Sequence, residues 1–241
     1  MIAIAMPDAL FLCATANETD TEGDINDMGY KLAQEIFQFI RENCPGNQLA
    51  RISLIGHSMG GLIIRACLPY LEKFKDKMHA FVTLCTPHLG YMYKTTKLFS
   101  TGMWIMRKWK KSISLNQLGM SDNKDLEQTF LFQLSKTKGL EWFKHCLLVS
   151  SFQDQYAPFD SARLQICSEA AKDVQKGNTY IQMVQNLLAS IPLQVLYRLD
   201  VNFNIEESNL DSMIGRTAHI LFLENADLMR MIVARYKIIF S

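Results

Sequence analysis

No apolar run in this chain reaches the roughly 18 residues that a membrane-spanning helix requires. Charge of one sign is not in excess: 25 Lys and Arg stand against 24 Asp and Glu, a net +1. No global field therefore argues for nucleic acid or an acidic partner. The amino-terminal stretch is apolar, yet it lacks a basic leader and is interrupted by Pro7 and Asp8, which argues against a signal peptide. A buried strand over residues 9–14 is expected there instead. The six cysteines (Cys13, Cys44, Cys67, Cys85, Cys146 and Cys167) show no C-x-x-C spacing. They read as reduced core thiols of a cytoplasmic protein, not as a disulfide framework or a zinc site. No metal or cofactor is expected. Internal repeats and low-complexity tracts are also missing. Only five histidines are present, so histidine-dependent chemistry can be assigned by elimination.

What remains is the pattern of one α/β domain over residues 1–241, with 49% apolar and 20% charged residues. Its oligomeric state is left open. Ile25, Met28, Leu32, Ile36, Phe37 and Ile40 recur at three- and four-residue steps, an amphipathic helix that Cys44-Pro45-Gly46 stops. Strands are expected at 51–56, 80–85, 146–151 and 193–203. Helices are expected from the end of the first of these to about 73, near 160–174 and 178–190, and over about 223–236, after a polar loop from 204 to 218. This alternation predicts a mainly parallel sheet with helices on both faces and sites beyond the strand carboxyl ends. Residues 91–140 hold no strand and read as a helical insertion or lid after strand 80–85. Within them, 98–113 mixes bulky apolar residues with Arg107, Lys108, Lys110 and Lys111. A helix packed on the core with a solvated basic end is favoured there over peripheral membrane contact.

The informative stretch is Gly56-His57-Ser58-Met59-Gly60, followed by Gly61. Its G-x-S-x-G spacing between an apolar strand and an apolar helix is that of a nucleophile elbow. Side chains two positions either side of the serine would collide with neighbouring elements, and glycine relieves both collisions. The helix start behind the serine favours an oxyanion.

A serine hydroxyl needs a base, and the base needs an orienting acid. His57 lies inside the elbow and cannot fold back onto its neighbour. His79 and His145 stand at strand starts, on the far edge of the sheet. His88 and His219 remain, and the chain order serine, acid, histidine favours His219. His57, His88 and Leu89 are candidates for the substrate pocket. Asp154, just past strand 146–151 in a loop pinned by Pro158, is the preferred acid. Asp160, read as a helix cap, and Asp200, read as part of a strand, are its rivals.

Gly56–Gly61, Thr86-Pro-His-Leu-Gly90, 100–111, 153–163 and Ile214-Gly-Arg-Thr-Ala-His219 together resemble the C-terminal serine esterase domain of the "family with sequence similarity 135" proteins. That lipase-like α/β-hydrolase group includes the yeast Rog-type lipases. The resemblance implies an α/β-hydrolase fold, a Ser58–Asp154–His219 triad and hydrolysis of carboxylic, lipid-type esters. It implies that Met59 N–H supplies one oxyanion donor. Members carry a further strand ending in a His-Gly oxyanion loop, and no His-Gly pair occurs here. The chain therefore reads as amino-terminally incomplete or as a degenerate relative. A catalytically weak hydrolase-fold module that binds lipid or protein is the alternative function.

Overall fold

The computed structural model describes residues 2–46, 48–93, 112–204 and 211–240, without the side chains of 211–216 and 240. Four strands, β1 (Ile52–His57), β2 (Met78–Leu84), β3 (His145–Ser150) and β4 (Leu196–Asp200), form one parallel sheet in the order β1-β2-β3-β4. Parallel pairing forces each connection to cross back over the sheet, so all four carboxyl ends share one edge. Successive side chains point to opposite faces, and two cores result. Phe81, Cys146 and Leu148 join one, with α1 (Ile25–Asn43), α2 (Gly60–Cys67) and α5 (Gly177–Ser190). Val82, Leu84, Leu147 and Val149 join the other, with α6 (Asp211–Glu224) and α7 (Ala226–Arg235). Helices thus cover both faces, and the architecture is α/β-hydrolase-like.

The helix read from the spacing of Ile25 to Ile40 is α1, which buries Ile25, Met28, Leu32 and Ile36. The Asp24 carboxylate caps it, accepting from Asn26 N–H at 2.7 Å, a contact worth about 0.5–2 kcal/mol. After α2, Pro69 removes one helical donor and the chain continues as a 3₁₀ segment, Leu68–Lys77.

Three expectations need correction. Residues 9–14 are not a strand: they carry no regular structure, with Leu10 and Phe11 59% and 47% exposed. No described strand pairs with the outer edge of β1, and the segment instead leads to α1, where Thr15 and Ala16 N–H donate to the Glu35 carboxylate. The helix expected near 160–174 is two short pieces, Phe159–Arg163 and Ser168–Lys172, because Leu164 turns left-handed at φ 55°. The polar loop expected up to 218 is helical from Asp211 onward, where α6 begins. Ala218 and Phe222, four residues apart and both fully buried, anchor it.

Of the 91–140 stretch, the described part holds α3 (Ile113–Leu118), α4 (Phe130–Lys136) and no strand. Leu118, Leu131 and Phe132 pack into the first core. Residues 98–111 of the cationic stretch lie outside the described residues. No described helix is long and apolar enough to cross a membrane.

Candidate active site

Ser58 stands where β1 ends and α2 begins, at φ 54°. A left-handed non-glycine residue costs about 1–2 kcal/mol, so the surroundings must hold it there. The Ser58 N–H donates to Leu84 O at 2.9 Å, and Gly61 N–H donates to Ser58 O at 3.3 Å. The glycines divide differently from the expectation. A Cβ at Gly56 would meet Gly61 N at 2.6 Å, and one at Gly61 would meet Thr86 Oγ1 at 2.3 Å, whereas Gly60 faces open space. Close approach therefore falls on Gly56 and Gly61, because the turn folds the strand end onto the second residue of the helix. Met59 precedes α2, and no described backbone carbonyl accepts from its N–H. That donor is available to an anion at the helix start.

Asp154 lies in the loop after β3, 6% exposed. Its Oδ1 accepts from Tyr156 N–H at 2.7 Å and Ala157 N–H at 3.1 Å. Its Oδ2 is 2.6 Å from His219 Nδ1. Two fixed backbone donors thus aim the second carboxylate oxygen at the imidazole. The structure places His219 within α6, not in a loop, and stacks Tyr156 beside it with ring centroids 5.3 Å apart. No hydrogen bond joins Ser58 Oγ to His219 among the described residues.

His57 does something that its position in the motif did not reveal. Its Nε2 lies 3.0 Å from His219 O, a distance at which the ring donates to the carbonyl and ties the end of β1 to α6. Burial lowers its pKa, opposed by that hydrogen bond. Adjacency to Ser58 was its only signal in the sequence. Cys85, directly after β2, is a second left-handed residue, at φ 45°. Its Sγ points at the same carbonyl at 4.0 Å, and burial pushes its thiol up. The His57, Cys85 and His219 donor atoms could together hold a metal ion.

The other named residues have partners outside this group. His88 is 1% exposed, its Nε2 3.1 Å from Thr83 Oγ1, and burial next to Arg65 holds its pKa well below the usual value. Arg65 Nη1 donates to His88 O at 2.9 Å, and burial pushes that guanidinium down to about 9. Leu89 is fully buried, its N–H donating to Ser161 Oγ. Asp160 does not cap a helix; it sits in the first turn of Phe159–Arg163, where desolvation raises its pKa. Asp200, at the end of β4, pairs with Arg163 and accepts from Ser150 Oγ.

A serine at a strained turn, a buried carboxylate on an imidazole and a free helix-start N–H are the parts that acyl transfer uses. A family model described as "Putative serine esterase (DUF676)" matches residues 5–169. The match takes in Ser58 and Asp154 and ends before His219. No solved structure matches the chain significantly.

Proposed function

From the membership of this chain in the DUF676 serine esterase family, we propose that it hydrolyses carboxylic esters through Ser58, His219 and Asp154. Ser58 Oγ attacks the ester carbonyl while His219 Nε2 takes its proton. Asp154 holds the Nδ1 proton and stabilises the imidazolium. The alkoxide on the tetrahedral carbon draws on Met59 N–H and the positive end of α2. Collapse expels the alcohol, which takes the proton from His219, and leaves an acyl-Ser58. Water, deprotonated by His219, then releases the acid and restores the hydroxyl. The observation that carries this reading is the 2.6 Å contact of His219 Nδ1 with Asp154. The resemblance of 100–111 and 214–219 to the family with sequence similarity 135 and the Rog-type lipases supports lipid esters as the substrate class. A cytoplasmic location completes the reading.

Labelling with a fluorophosphonate tests it. The intact protein takes up one probe and Ser58→Ala takes up none; equal labelling of both removes Ser58 as nucleophile. The competing reading, a weak hydrolase-fold binding module, is favoured by the missing hydrogen bond between Ser58 and His219. It predicts no labelling of either protein.

A further inference from the structure

Three donor atoms of the kinds that bind zinc meet beside Ser58. Cys85 Sγ, a ring nitrogen of His57 and a ring nitrogen of His219 all lie within 4.8 Å of one another. They come from the ends of β1 and β2 and from α6, so no short spacing in the chain reveals them. We propose that they form a reversible zinc site whose occupation switches off hydrolysis at Ser58. The switch rests on the esterase reading above; the binding does not.

The donor set decides the ion. One thiolate with two imidazoles selects a borderline-soft divalent ion over magnesium or calcium, which take oxygen. Tetrahedral zinc, with bonds of about 2.0–2.1 Å to nitrogen and about 2.3 Å to sulfur, puts its ligand atoms roughly 3.3–3.6 Å apart. The widest pair here therefore closes by at most about 1.5 Å, within the reach of side-chain rotation. Three protein ligands leave the fourth position to water or to Ser58 Oγ. The Asp154 carboxylate already orients the His219 ring, as outer partners of metal-binding imidazoles do. Burial keeps Cys85 as a neutral thiol until an ion arrives. On binding, the S–H bond breaks, the Zn–S bond forms and the proton leaves to solvent, with no change of oxidation state. Whichever nitrogen of His219 the ion takes, the base is lost. Nε2 receives the serine proton, and Nδ1 carries the contact with Asp154.

Cobalt(II) is the spectroscopic probe, in full chain carrying Cys13→Ser to remove the exposed thiol. A near-ultraviolet thiolate-to-cobalt band and tetrahedral visible bands are expected, and zinc added afterwards abolishes them. Cys85→Ser loses the thiolate band. His57→Gln keeps that band but weakens zinc binding at least about tenfold, on the scale of a lost ligand or orienting partner, and it serves if Cys85→Ser does not fold. Zinc should inhibit ester turnover reversibly on chelation, with inhibition at least about tenfold weaker in Cys85→Ser. Absence of the thiolate band in folded protein, or equal zinc inhibition of both proteins, overturns the site. A full set of bands in a protein without esterase activity overturns the switch and leaves the site standing.

Discussion

Replacing Asp154 by Asn changes one oxygen for an NH₂ and almost nothing in volume. The environment dictates which way the amide turns. Tyr156 and Ala157 N–H both point at Oδ1, so the amide must offer them its oxygen; the flipped form would set an NH₂ against two donors. Nδ2 then faces His219 Nδ1 and donates to it. The imidazole is forced into the tautomer with hydrogen on Nε2, which cannot accept the serine proton. In the Ser-His-Asp template the same exchange lowers kcat by about 10⁴, which corresponds to about 5.5 kcal/mol of transition-state stabilisation. The measurement is kcat/KM on a short-chain p-nitrophenyl ester, with circular dichroism to verify the fold. Turnover of Asp154→Asn within tenfold of the parent would refute the assignment of Asp154 as the orienting acid.

Gly61→Ala should destabilise the fold by about 1–3 kcal/mol through overpacking against Thr86 and Thr83. Gly60→Ala, facing open space in a helix, should gain about 0.5–1 kcal/mol; urea midpoints compare the two, and equal effects would contradict the geometry. Ser58→Gly should be about 1–2 kcal/mol more stable than Ser58→Ala, because glycine alone adopts φ 54° without strain; thermal melts read the difference. Burial lowers the folded pKa of His57, His79, His88 and His145, with charged neighbours as lesser causes. The unfolded chain then binds more protons, so stability is fully present above the unfolded histidine pKa of about 6.5 and falls as pH drops below it. A urea midpoint that stays constant from pH 7.5 to 5 would contradict this.

The turn at Ser58 was legible in the sequence because its pattern is local: a strand, a turn and a helix start occupy adjacent residues. Of the strand expected at 193–203 only Leu196–Asp200 is one, whereas β2 and β3 were legible for a similar reason, since strands covered on both faces are mainly apolar. Residues 9–14 have the same composition but no neighbouring strand, and sequence shows apolarity without showing pairing. His219 was picked by chain order, while its helix was hidden by Gly215 and Thr217, which read as loop residues until Ala218 and Phe222 are seen buried together. The role of Gly61 rather than Gly60 depends on where Thr86 lies, 25 positions away in the chain. The carbonyl of His219, which both His57 and Cys85 address, carries no side-chain signal at all.

The two cores described above have a consequence for how activity responds to distant change. Leu62 and Ile64, behind Ser58, belong to one core, whereas Ala218 and Phe222, flanking His219 on α6, belong to the other. Ser58 and His219, the proposed nucleophile and base, are thus mounted on opposite sides of the sheet, so their alignment is a difference between two independent foundations. A misplacement of about 1 Å can cost about 10²-fold in rate, and a cavity in either core can shift one mount without the other. Phe222→Ala, a cavity in the second core, is expected to slow turnover while Ser58 keeps its strained turn. Turnover, on the proposed mechanism, thereby reports whether both faces of the sheet are packed.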